Sequence, residues 1–253
     1  MPTGYRLDPN IQMKIEEEDH MAEVIKVNDS TWRFEDDGVR FFLFVGTKKA
    51  ALIDSGMNVP DAKRLAEELT DLPLILINTH ADPDHISGND AFSEVYMSAK
   101  EDGNYRENGG TGDFRPVHEG DVIDLGDRPL RIIDIPGHTP GSIAIIDEKN
   151  RILVSGDSVE DGNIFLFGPR RNMDRYIESM KHLLEFTDMF DEIYAMHGSF
   201  PVKNDLIEKV IEGAQLIKAG KVEGSHVNIF GKEAVLYKFP YAGFLCDPKR
   251  KYM

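Results

Sequence analysis

Residues 74–88 read Leu-Ile-Leu-Ile-Asn-Thr-His-Ala-Asp-Pro-Asp-His-Ile-Ser-Gly, and this stretch decides the fold. Leu74 to Ile77 is an unbroken apolar run, the pattern of a strand buried on both faces. It stops at Asn78-Thr79 and delivers His80, Asp82, Asp84 and His85 within six residues. Pro83 is incompatible with a continuous helix through the cluster, which places these side chains on a loop at the strand's end. Gly88 and the mixed sequence beyond it read as the start of a helix. Two imidazoles and two carboxylates this close repel one another or bury charge at a cost unless a cation gathers them. The competing reading is a solvated acidic loop that carries histidine by chance.

The same event recurs three times downstream. Arg131-Ile132-Ile133-Asp134-Ile135 is a short apolar strand followed by Pro136-Gly137-His138. Arg151 to Ser155 is another, ending in Gly156-Asp157, and Glu192 to Met196 runs into His197-Gly198. Each run ends in a potential metal ligand beside a glycine, which lets the chain turn sharply and other groups approach. In α/β architectures, sites gather at strand ends because the loops there converge on one edge.

With these motifs the chain resembles the metallo-β-lactamase superfamily, from about Val24 to Phe200. The family signature His-x-His-x-Asp-His, then Gly-His, Gly-Asp and a final His, reads here as His80-Ala-Asp82-Pro-Asp84-His85, Gly137-His138, Gly156-Asp157 and His197. Ala51 to Gly56 looks like the family's early strand, whose aspartate, here Asp54, braces the site. The resemblance implies a four-layer αββα sandwich with two metals at one sandwich edge. It also implies a first metal on His80, Asp82 and His138, a second on Asp84, His85 and His197, and Asp157 bridging. Asp82 departs from the pattern, standing where most members carry histidine. A carboxylate there makes the first site harder and more anionic, which shifts preference from zinc toward iron or manganese.

The 253 residues carry 41% hydrophobic side chains, enough for a sandwich core, and we read residues 1–253 as one metallo-β-lactamase-like domain with 1–20 an exposed arm. No run approaches the roughly 20 apolar residues of a membrane helix, and the amino terminus lacks a secretory apolar stretch. Cys246 is the only cysteine. That suits a reducing cytoplasm and nearly excludes thiolate ligation. A net charge of −16 argues against nucleic acid as substrate. The expected partner is a small molecule.

In the remaining chain, residues 24–53 read as a β-meander that completes a first sheet at Ala50–Ile53. Helical spacing appears over 59–69, 174–186 and 205–219. Ser98 to Pro116, with four glycines, reads as a loop or lid, and Tyr105 and Arg106 are its candidate substrate contacts. Phe165 and Phe167, followed by Arg170 and Arg171, suit a pocket wall with an anion-binding end; a core strand ending in two solvated arginines is the equal alternative. The aromatic tail, residues 234–245, reads as an edge strand closing the pocket or as a contact in a homo-oligomer. His20, His118, His182 and His226 lack partners in sequence and are read as ordinary polar positions.

These features predict a metal-dependent hydrolase of a small ester, thioester, lactone or amide. It would use a metal-bound hydroxide as nucleophile, two divalent ions (zinc first, iron or manganese as alternatives), and Asp84 to orient the water. A serine nucleophile is unnecessary, and Ser142 and Ser158 read as loop hydrogen-bonders. The main rival is a non-haem iron redox protein of flavodiiron or persulfide dioxygenase type, which Asp82 favours. A non-catalytic metal-binding protein is the third reading.

Overall fold

The structure, a computed structural model, describes residues 22–248. The expected arm at 1–20 lies outside them.

Seven strands form the first sheet in sequence order: β1 (Glu23–Asn28), β2 (Thr31–Asp36), β3 (Val39–Val45), β4 (Ala50–Ile53), β5 (Leu74–Ile77), β6 (Val95–Ser98) and β7 (Arg115–Val117). The meander β1–β4 is antiparallel and β4–β7 are parallel. The switch matches composition. β4 and β5 are nearly all apolar and buried on both faces, whereas β1 alternates polar and apolar at an edge. The meander therefore does not complete the sheet at β4; three more strands extend it.

The second sheet has the order β14-β13-β11-β10-β9-β8. Its strands are β8 (Val122–Asp124), β9 (Pro129–Asp134), β10 (Ile143–Asp147), β11 (Ile152–Gly156), β13 (Glu192–Ala195) and β14 (Val202–Lys203). Phe42, Phe44, Ile53 and Ile77 from the first sheet pack on Ile132, Ile145 and Val154 from the second, with no solvent exposure. This layer is the middle of the sandwich. The buried Arg128 ties the sheets together, pairing with Asp147 while donating to Thr31 Oγ1 at 2.8 Å.

Helices α1 (Ala62–Glu67) and α2 (Asp102–Glu107) cover the outer face of the first sheet. α3 (Met173–Leu183) and α4 (Leu206–Lys218) cover the second through Tyr176, Met180, Leu183, Ile207, Val210 and Ala214. The Asn172 side chain caps α3 by accepting from Arg175 N at 3.0 Å. These layers are the αββα sandwich the sequence implies. No helix among the described residues is long and apolar enough to cross a membrane.

Four expectations need correction. Beyond Gly88 there is only a 3-10 turn, Asn89–Ala91, because the chain must reach β6 at once. The stretch 98–116 is not an open loop: it folds as a 3-10 turn at Ala99–Glu101, then α2, then β7. Tyr105 is 1% exposed and packs edge-on against Phe114, so it is core and not a substrate contact. The tail is not a sheet edge. β17 (Gly243–Cys246) lies between β12 (Asn163–Leu166) and β16 (Lys232–Lys238), with β15 (Ser225–Ile229) beyond, in a third sheet against α3 and α4.

Candidate metal centre

Strand β5 of the first sheet and β9, β11 and β13 of the second end on the same rim. The loops after them carry His80 to His85, His138, Asp157 and His197. Gly137 permits the tight approach at one of these ends: a Cβ there would lie 2.4 Å from Tyr176 Cα of α3.

The side chains meet in two groups that share Asp157. In the inner group, His80 Nε2 lies 3.2 Å from His138 Nε2, and both lie 3.6–3.7 Å from Asp157 Oδ2. Asp82 Oδ2 stands 3.3 Å from His138 Nε2 and 3.7 Å from His80 Nε2. In the outer group, His85 Nε2 is 3.5 Å from Asp84 Oδ2 and 3.4 Å from Asp157 Oδ1. His197 Nε2 is 3.3 Å from Asp84 Oδ2 and 3.4 Å from Asp157 Oδ2. Donors bonded at 2.0–2.2 Å around a tetrahedral ion stand about 3.3–3.6 Å apart, so both groups have the spacing of a coordination sphere.

Each histidine is turned by a bond on its other nitrogen. His138 Nδ1 donates to Phe165 O and His197 Nδ1 to Gly38 O, both at 2.9 Å. Asp54 Oδ2 accepts from His85 Nδ1 at 3.0 Å and from Thr79 Oγ1 at 2.6 Å, which leaves the threonine oxygen to accept from His80 Nδ1 at 3.0 Å. Asp54 thus orients two imidazoles, one directly and one through Thr79. With Nδ1 bonded outward, every Nε2 points to the centre, where a metal ion would take the place of a proton.

The charges are poised for a cation. Burial and the neighbouring His85 push the His80 imidazole down to about 3. Burial works against a proton on His197 too, yet Asp157 and Asp84 outweigh it and raise this imidazole to about 11. His85 is likewise raised against burial, by Asp157, Asp84 and Asp54. Burial works against ionised Asp82, Asp84 and Asp157, yet the surrounding histidines, joined at Asp82 by Arg171, hold them below the usual carboxylate range. The buried atoms His85 Nε2 and Asp157 Oδ1 have no hydrogen-bond partner. Nitrogen and oxygen donors aimed inward and two orphaned buried atoms fit divalent metal ions.

The profile of the Metallo-beta-lactamase superfamily matches residues 35–222. The chain belongs to this superfamily. Among curated members it is 30% identical over 241 residues to the acyl-coenzyme A thioesterase MBLAC2 of Gallus gallus, spanning 79% of this chain and 77% of that protein. It is 28% identical over 144 residues to a hydroxyacylglutathione hydrolase of Synechococcus sp., spanning 56% of this chain and 57% of that one. The metallo-beta-lactamase of Pontibacter korlensis shares the fold with a TM-score of 0.67 at 18% identity, over 77% of this chain and 99% of that one.

Within this superfamily fold, several supporting residues escape a sequence reading. Arg40 is 7% exposed and spreads its guanidinium over the loop after β13. Nη1 donates to the carbonyls of Ala195, His197 and Ser199, and Nη2 to Gly198 O at 2.7 Å. Its one sequence signal is a charge inside an apolar strand, where burial demands partners. The fully buried Glu101 carboxylate accepts from Ala81 N and from Gly141 N, clamping the His80 and His138 loops together. Asn104 of α2 donates to Asp82 Oδ1 at 2.9 Å. Glu160 is buried beside the centre, and burial together with Asp157 raises its carboxyl well above normal.

The expected anion end of the pocket wall is already engaged. Arg171 Nη2 pairs with Asp82 Oδ2, and Arg170 Nη2 lies 2.6 Å from Glu107. Phe165 and Phe167 are half-buried, with ring centroids 5.7 Å apart. Arg106 is exposed and bonds the carbonyls of Gly110 and Gly112. His118 and His226 are exposed, and His182 pairs with Glu119 and Glu185, away from the centre.

Proposed function

We propose that the protein is a metal-dependent hydrolase of small acyl thioesters, carrying two divalent ions, with zinc the first choice. Hydrolysis is the reaction of both named relatives, and each acts on an acyl group carried by a thiol. The observation that carries the reading is the pair of donor groups meeting at Asp157, with His85 Nε2 and Asp157 Oδ1 left unpartnered. His80, Asp82 and His138 would hold the inner ion, Asp84, His85 and His197 the outer one, and Asp157 both. Bound there, divalent ions lower the pKa of water toward neutrality and draw charge from a carbonyl oxygen.

The chain's own groups supply the rest. Asp84 is the most exposed of the three central carboxylates, at 27% against 14% for Asp82 and 10% for Asp157. Its position suits it to orient the attacking water and accept its proton. Asp54, Gly38 O and Phe165 O keep the imidazoles aimed inward while charge shifts. A thiol has a pKa of about 8.5, so it departs as thiolate without a general acid, whereas an amine needs one. A thioester is therefore the least demanding substrate for this constellation. The single cysteine, Cys246, is buried, and a reducing cytoplasm suits the protein.

Thiol release from a panel of acyl thioesters tests the proposal. His85→Ala is expected to abolish release while circular dichroism stays unchanged; retained hydrolysis would contradict it.

A further inference from the structure

The turn joining β15 to β16 places Phe230 and Gly231 between the paired residues Ile229 and Lys232. Both turn residues have positive φ, +51° at Phe230 and +78° at Gly231. A two-residue turn of this kind favours asparagine, aspartate or glycine at its first position, because a bulky side chain there crowds its own backbone. Phe230 is also 89% exposed, far beyond the 46% of Val122, the next most exposed large hydrophobic among the described residues. Neither the backbone conformation nor the bare ring serves folding. A strained conformation combined with an exposed aromatic points to a role outside stability.

The ring has neighbours in one direction. Its centroid lies 6.5 Å from that of Phe165 at an interplanar angle of 23°, and Phe165 lies 5.7 Å from Phe167. The carbonyl of Phe165 is the group that orients His138. The aromatic faces thus run from one hydrogen bond away from the metal centre out to the hairpin tip. The cations beside this wall, Arg170 and Arg171, are paired with Glu107 and Asp82. The wall therefore offers apolar area, and its charges are already balanced.

We propose that Phe165, Phe167 and Phe230 form a platform that seats the apolar acyl chain of the thioester, with Phe230 as its outer clamp. This rests on the thioesterase reading. With the reacting carbonyl at the metal centre, this wall borders one path along which an arm of the substrate can run. A polar thiol carrier bearing phosphates or carboxylates would need cations there, whereas an alkyl chain needs only area. The platform accordingly selects for chain length and leaves the thiol carrier to another side of the rim.

The test compares the protein with Phe230→Asn and Phe230→Ala on acetyl, hexanoyl and dodecanoyl thioesters of one thiol. The expected result is a fall of about tenfold in the ratio of kcat/KM for dodecanoyl over acetyl. That fall comes through KM, with hexanoyl in between. Phe230→Asn is also expected to raise the melting temperature, because asparagine suits the left-handed conformation. Turnover by both variants with a length-independent change overturns the platform alone. So does a change of oligomeric state on gel filtration without a length effect, which would make the patch a contact between copies. No turnover of any thioester by the unsubstituted protein overturns the thioesterase reading and the platform with it.

Discussion

The inner and outer halves of the proposed metal centre each bring two imidazoles and one carboxylate to a shared Asp157, yet they are held differently. Outer His197 is fixed by main chain: its Nδ1 meets Gly38 O, and Arg40 grips the carbonyls of residues 195 and 197–199. Inner Asp82 is fixed by charge and by side-chain amide. Arg171 takes Oδ2, and Asn104 takes Oδ1. The outer half is also the more open, with His197 and Asp84 near 28% and 27% exposed against 1% for His80 and 2% for His138. The more open half thus contains His197, whose loop is held by main-chain bonds, and the less open half contains a carboxylate already paired with arginine.

Substitutions should separate the halves. The largest effect is expected from Asp157→Ala, which removes the shared ligand. Both ions should be lost on gel filtration, with kcat/KM for a thioester lowered at least roughly a thousandfold, about 4 kcal/mol. Retention of two ions would break the description of Asp157 as common to both halves. Asp54→Ala comes next, since Asp54 orients one imidazole of each half. Loss of such a supporting carboxylate costs about 10–100-fold in metal affinity, measured by chelator competition, and both ions should weaken together. Arg40→Ala should act on the outer half alone, lowering the bound metal from two per chain toward one, while Arg40→Lys keeps the charge and recovers part of it. The smallest effect, and one of opposite sign, is expected from Arg171→Leu. Freed from its competitor, Asp82 should hold the inner ion several-fold more tightly. A weaker inner ion would mean that Arg171 serves to position Asp82 instead.

Much of this candidate centre was legible in sequence because each proposed ligand follows an apolar strand, with His138, Asp157 and His197 beside a glycine, a pattern that depends on neighbours in the chain. Its supports were not. Arg40, Glu101 and Asn104 act on residues far away in sequence, and nothing local to Glu101 announces that its carboxylate will join the Ala81 and Gly141 amides. Helix α2 was hidden for the same reason. Asp-Gly-Asn is poor helix composition, and the segment is held by tertiary bonds from Asn104 and Asn108 to the metal loop. The third sheet escaped because β15 is polar and mostly exposed, while β12 could equally be read as a pocket wall.

In the proposed function this centre hydrolyses thioesters by means of its metal ions. The most direct measurement strips the protein with a chelator and follows acyl-thioester hydrolysis as zinc is added back in known equivalents per chain. No hydrolysis is expected at the start, then recovery with added zinc and a plateau at two equivalents. Hydrolysis that persists undiminished in the stripped protein would contradict it.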